Sequence, residues 1–160
     1  RADPRTFESE TEVREWLRKA LTKSNSGAAT TRAKALSAGG WLAYRQGDFG
    51  QAREYFREGI ALYTQAEDEI GLINTWQALA IIEMDEGDYP KAQHYLEQSL
   101  ELARTLEDAL GIARGLKFLG SLAWDQDRFV DAREHYRESL RRYQHLGDQV
   151  SIAACRYHYG

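Results

Sequence analysis

The chain has 160 residues, a net charge of −4, 42% apolar and 29% charged residues, a balance that excludes both intrinsic disorder and a membrane-embedded chain. Its length suits one domain that buries about 70% of the surface exposed when unfolded. No basic block is present to release counterions, so non-specific nucleic-acid binding is excluded, and the single Cys155 rules out an internal disulfide and fits a reducing compartment.

The first predicted element is a helix over residues 9–23. Its Arg14-Glu15-Trp16-Leu17-Arg18 matches Arg53-Glu54-Tyr55-Phe56-Arg57 further on, so it reads as an orphan second helix of a helix pair. Residues 24–31 are small and polar and read as a linker. Three repeats follow, residues 32–72, 73–112 and 113–152, and residues 153–160 read as the truncated start of a fourth. The marker is Gly47-Asp48-Phe49, which returns as Gly87-Asp88-Tyr89 and as Asp127-Arg128-Phe129, 40 residues apart each time. The register holds without gaps. Ala52, Ala92 and Ala132 match, then Phe56, Leu96 and Tyr136, with Gly40, Ala80 and Gly120 upstream and Asp68, Asp108 and Asp148 downstream.

Each repeat is predicted to be two helices. In the second repeat Leu72, Ile73, Trp76, Leu79 and Ala80 stand at helical spacing, and Gly87 ends the helix as the residue that takes the left-handed conformation cheaply. Asp88 caps the next helix and Pro90 falls in its first turn. Asp68, Asp108 and Asp148 are expected to cap the first helices in the same way. In the third repeat Asp127 and Arg128 replace the glycine and the cap, so that turn is expected to be the least well held. Gly40, Ala80 and Gly120 allow close helix approach, Phe49, Tyr89 and Phe129 fill the wider end, and Trp16 and Trp76 fall at core positions. A lone pair cannot cover its apolar face, so the repeats must stack. The fold class is therefore all-α, an α-solenoid of helix–turn–helix repeats. The start at Arg1 and the half-repeats at both ends read as a segment cut from a longer array.

The matched positions resemble the tetratricopeptide repeat: a large apolar residue (Leu36, Trp76, Leu116), Leu79 and Leu119, a small residue, Gly-Asp-aromatic at the turn, and Ala. The period of 40 and the Leu-x-Leu-Ala-x-x-Leu-x-Asp ending (Leu100 to Asp108) are similar to the long-repeat arrays of maltose-regulator-type, large LuxR-family and other bacterial STAND signalling proteins. Kinesin light chains and related scaffolds also use long repeats. Ala43, Glu83 and Ala123 depart from the family's tyrosine, and Gly39 departs from Leu79 and Leu119.

No catalytic, cofactor or metal site is expected. The chain lacks a phosphate loop, a Gly-x-Gly-x-x-Gly and a paired-histidine helix motif, and His94, His135, His145 and His158 lack ligand spacing. In tetratricopeptide arrays the first helices line the concave surface. Carried over by position, this implies a partner-binding face of Lys34, Trp41, Tyr44 and Arg45 in the first repeat. Asn74 and Gln77 follow in the second, and Arg114, Lys117, Phe118 and Trp124 in the third. Aromatics and arginine are enriched in such surfaces, whereas Tyr44, Met84 and Trp124 share a position that packing alone can explain. Lys34 and Lys117 do not complete the clamp that chaperone-binding relatives use for a C-terminal carboxylate. The expected function is a protein-interaction or sensor module of a larger bacterial signalling protein, binding a protein or peptide. The alternative is a sugar or metabolite receptor region of a signalling ATPase. No run of about 18 apolar residues and no signal-peptide pattern occur, so a cytoplasmic location without membrane contact is expected. Self-association through the cut ends would use Val13, Trp16 and Leu17 at one end and Ile152, Cys155 and Tyr159 at the other.

Overall fold

Six helices follow one another in the computed structural model, which describes residues 28–148 and 151–152: α1 (Ala28–Arg45), α2 (Phe49–Gln65), α3 (Glu69–Asp85), α4 (Tyr89–Thr105), α5 (Ala109–Asp125) and α6 (Phe129–Leu146). Each is 17 or 18 residues long, and three residues join each to the next. There is no strand among the described residues, and the architecture is a helical-repeat solenoid. The expected orphan helix at 9–23 and the truncated start at 153–160 lie outside the described residues. Of the expected linker, residues 28–31 are helical and open α1.

The turns explain why the helices stop where they do. A residue with positive φ recurs every twenty positions: Gly47 (78°), Glu67 (54°), Gly87 (78°), Glu107 (55°), Asp127 (59°) and Gly147 (69°). At each turn this residue and the next donate back into the finished helix, as Gly87 N–H to Met84 O (3.0 Å) and Asp88 N–H to Glu83 O (2.8 Å) do. That pairing is the Schellman motif, which satisfies carbonyls a helix end would leave orphaned. At four of the six turns the second donor is also the side-chain cap of the residues that follow. Asp48, Asp68, Asp88 and Asp148 each accept an N–H three residues on, at 2.9–3.2 Å.

One expectation is corrected here, and a second is met in the missing cap though not in the backbone bonds. Asp108 makes no side-chain cap bond to α5. The Asp127-Arg128 turn keeps the same backbone bonds as the others, at 3.0 and 2.8 Å. Arg128 does not cap α6; its guanidinium instead reaches Asp131 (2.7 Å) on that helix's first turn, where a carboxylate is favoured by the helix dipole.

The chain divides into two compact units, residues 1–75 and 76–160, with the boundary inside α3. In the first, α1 and α2 pack through Gly40, where an added Cβ would stand 2.7 Å from the Phe56 ring. Leu36, Ala52, Phe56, Tyr63 and Ile73 are buried around them, and the Tyr63 ring lies against Gly71. In the second unit, Ala80, Ala92, Leu96 and Leu122 form a buried cluster with Met84, Tyr89, Tyr95, Phe118 and Leu119 against it. A second cluster joins Ala123, Ala132 and Tyr136. A third holds Ile152 with Ala113 and Tyr143, so Ile152, expected on an exposed end face, is buried. Trp76 is half-buried rather than enclosed, while Leu36 and Leu116 are buried at the matching positions.

Candidate functional site

In the first unit, α1 presents four of the expected partner-binding residues. Lys34, Trp41 and Arg45 fall on one stripe of the helix and are exposed, while Tyr44 is half-buried. Trp41 is 40% exposed, and its ring is held edge-on by Tyr44 and by Phe56, both at 5.6 Å between centroids. Phe56 is itself buried against Gly40. The indole is thus fixed in place before anything binds, which lowers the ordering cost of using it as an anchor. Tyr44 lies against Phe49 (5.7 Å) and closes the turn from outside. Asn74, on the part of α3 belonging to this unit, is exposed.

In the second unit, α5 presents Arg114, Lys117 and Phe118, all half-buried, and Trp124, which is 53% exposed. The Lys117 ammonium sits 4.5 Å from the Phe118 ring centroid, a cation–π contact that fixes both groups. Trp124 meets Phe129 edge-on at 4.9 Å. The position shared by Tyr44, Met84 and Trp124 is thus filled in two ways: Met84 packs against the core cluster, whereas Trp124 keeps about half its surface open.

Gln77 is the correction to the expected face. It is buried, and its amide donates to Ser99 Oγ (2.9 Å) and to Gly111 O (3.0 Å). Those bonds tie α3 to α4 and α5, so Gln77 holds the helices together and presents nothing outward. Ser139 does the same between α6 and α5, donating to Ala113 O at 2.7 Å.

Three features were missed by the sequence. Phe129, expected inside, is 48% exposed, and Val130 beside it is 75% exposed. The available signal was an apolar Val130 where the other repeats place Gly50 and Pro90. Asp125 has its carboxyl raised above the usual range, by burial first and by the Asp85 charge second. The third feature is Glu83, a buried carboxylate 3.3 Å from the Lys91 ammonium.

The chemistry available on these faces is recognition: aromatic planes, guanidinium and ammonium donors, and carboxylates. No group of three or more His, Cys, Asp or Glu able to hold a metal occurs among the described residues. His135 is shifted below the ordinary imidazole value, chiefly by desolvation. Cys155, Tyr157 and His158 lie outside the described residues. No helix among the described residues is long and apolar enough to cross a membrane.

Comparison with known proteins agrees with this geometry. Models of the tetratricopeptide repeat match residues 71–145 and residues 32–67. No curated protein matches the sequence. Among solved structures, BtubC (BKLC) from P. vanneervenii superposes with a TM-score of 0.75 at 18% identity, covering 94% of this chain. The chain spans 62% of the length of that structure. The N-terminal domain of stress-induced protein-1 (STI-1) from C. elegans superposes with a TM-score of 0.60 at 21% identity, covering 86% of this chain and all of that domain. At these identities the likeness is one of fold.

Proposed function

This chain belongs to the tetratricopeptide repeat family, a scaffold for protein–protein interaction, and on that premise we propose that it binds a protein or peptide partner through its first-helix faces. The single observation that carries the proposal is the exposure of Trp41 and Trp124, 40% and 53%. Large aromatics held by ring contacts yet left open are the residues on which interfaces concentrate their energy. Structure does not demand the size of Trp41, since Ile81 and Ser121 occupy its place in the other repeats. Lys34 and Arg45 share α1 with the first anchor, and Arg114 and Lys117 share α5 with the second, so on this reading the partner segment that lies along the first helices is acidic.

The parent protein on this reading is a bacterial signalling or regulatory protein acting in the cytoplasm, in which this array holds or senses the partner. What supports that context is the forty-residue repeat and its Leu-x-Leu-Ala-x-x-Leu-x-Asp ending, similar to the arrays of STAND signalling proteins.

The test uses a partner recovered with the full-length protein. Arg114→Ala and Lys117→Ala are expected to weaken its binding more at low salt than at high salt, because charges at an interface rim act through screened attraction. Equal losses at both salt concentrations, or no loss at either, would remove the electrostatic part of the proposal.

A further inference from the structure

We propose that the turn joining α5 to α6 is a second docking surface, which takes a partner segment carrying a basic side chain beside an apolar one. Trp124, Phe129 and Val130 are 53%, 48% and 75% exposed within seven consecutive residues. The repeat does not require this. At the matching turns Tyr44 and Phe49, and Met84 and Tyr89, are half-buried, and the third place is filled by Gly50 or Pro90. A contiguous apolar patch of this kind on a water-facing turn marks an interaction surface.

The charge around the patch selects the occupant. Asp125 ends α5 just before the turn, Asp127 lies within it, and the Asp85 charge acts on the Asp125 carboxyl, so acidic side chains of two first helices act at this end. The cation within the turn, Arg128, is engaged by Asp131 (2.8 Å from Nε, 2.7 Å from Nη2) and by the Gln126 amide oxygen (3.3 Å). What the surface offers is therefore acidic and aromatic together. A lysine or arginine of the partner would lie against the indole face of Trp124 with a carboxylate beside it, and a neighbouring apolar side chain would cover Phe129 and Val130. This surface shares Trp124 with the first-helix face but is opposite in charge to Arg114 and Lys117. The basic-segment and acidic-segment readings can therefore fail separately.

The experiment titrates the whole chain with two synthetic peptides of equal length and equal leucine content, one lysine-rich and one glutamate-rich, following the Trp124 indole N–H and the Val130 methyls by NMR. The lysine-rich peptide is expected to shift both signals and to leave the Trp41 indole in place. The glutamate-rich peptide, which the first-helix face would draw to Trp124, leaves the Val130 methyls unmoved. Val130→Ser, at a site exposed enough to leave folding intact, is expected to weaken the lysine-rich peptide several-fold by removing the apolar contact without changing the charge. Asp125→Asn weakens it several-fold at low salt and less at high salt. Equal shifts from both peptides, shifts from neither, or unchanged affinity in both variants would overturn the proposal. So would shifts that grow with protein concentration in the absence of peptide, which would assign the patch to a second copy of this chain.

Discussion

Gly40 faces the buried Phe56 ring, whereas Ala80 faces Leu96 and Gly120 faces Tyr136, with an added Cβ 2.7 Å from Phe56 Cζ and 2.9 Å from Tyr136 Cδ1. The small residue is thus matched to its opposite number: glycine against a ring, alanine against leucine. Gly40→Ala is expected to cost about 1–3 kcal/mol by overpacking, in spite of alanine's better helix propensity. Adding Phe56→Leu recreates the Ala80–Leu96 pair and should recover most of that loss. A double-mutant cycle in urea that shows simple additivity would contradict the matching. Glu83 gives a second test at this scale. It is 1% exposed and 3.3 Å from Lys91, while Ala43 and Ala123 fill the equivalent places. Removing the cation takes an ion-pair partner from a buried carboxylate, so Lys91→Ala should destabilise by about 1–3 kcal/mol. Removing the acid restores the repeat's own alanine, so Glu83→Ala should be close to neutral. Denaturant midpoints reversed in order would show that the pair itself stabilises the fold.

The helices were legible because their boundary signals coincide with their apolar spacing. Gly87, Asp88 and Pro90 end one helix and start the next as expected, and α3 runs Glu69–Asp85 where the pattern indicated a helix between Asp68 and Glu86. The twenty-residue geometry was less legible. Glu67, Glu107 and Asp127 adopt the left-handed conformation without being glycine, at a cost of about 1–2 kcal/mol each that the Schellman bonds around them offset. Glu107→Gly should accordingly stabilise the protein by roughly 0.5–1 kcal/mol, and Gly87→Val should destabilise it by more than about 1 kcal/mol. Among the caps, Asp88→Ala removes the bond to Lys91 N–H (3.2 Å) and should cost about 1 kcal/mol. Asp108→Ala removes no such bond and should cost less. Thermal melts of the four variants check all of this together.

At the scale of the whole chain, an exact repeat of apolar and small positions was enough to indicate a strand-free stack of helix pairs, because each matched residue has a packing reason. The exposure of the candidate binding residues was legible only in part. Position within a repeat says which way a side chain starts, and Trp41, Lys34 and Arg45 follow that rule. It does not say what a neighbouring helix brings opposite: Ser99 and the Gly111 carbonyl draw Gln77 inward, and Phe129 stays open although its position matches the packed Tyr89. The central claim is that binding energy is concentrated on the first helices. The most direct test is calorimetric titration of the partner into Trp41→Ala and Trp124→Ala, beside Arg53→Ala and Arg133→Ala on the second helices α2 and α6. The account predicts a loss of about tenfold or more in affinity, roughly 1.4 kcal/mol, for each tryptophan variant with helicity unchanged, and wild-type affinity for both arginine variants. Wild-type affinity in the tryptophan variants, or equal losses across all four, would contradict it.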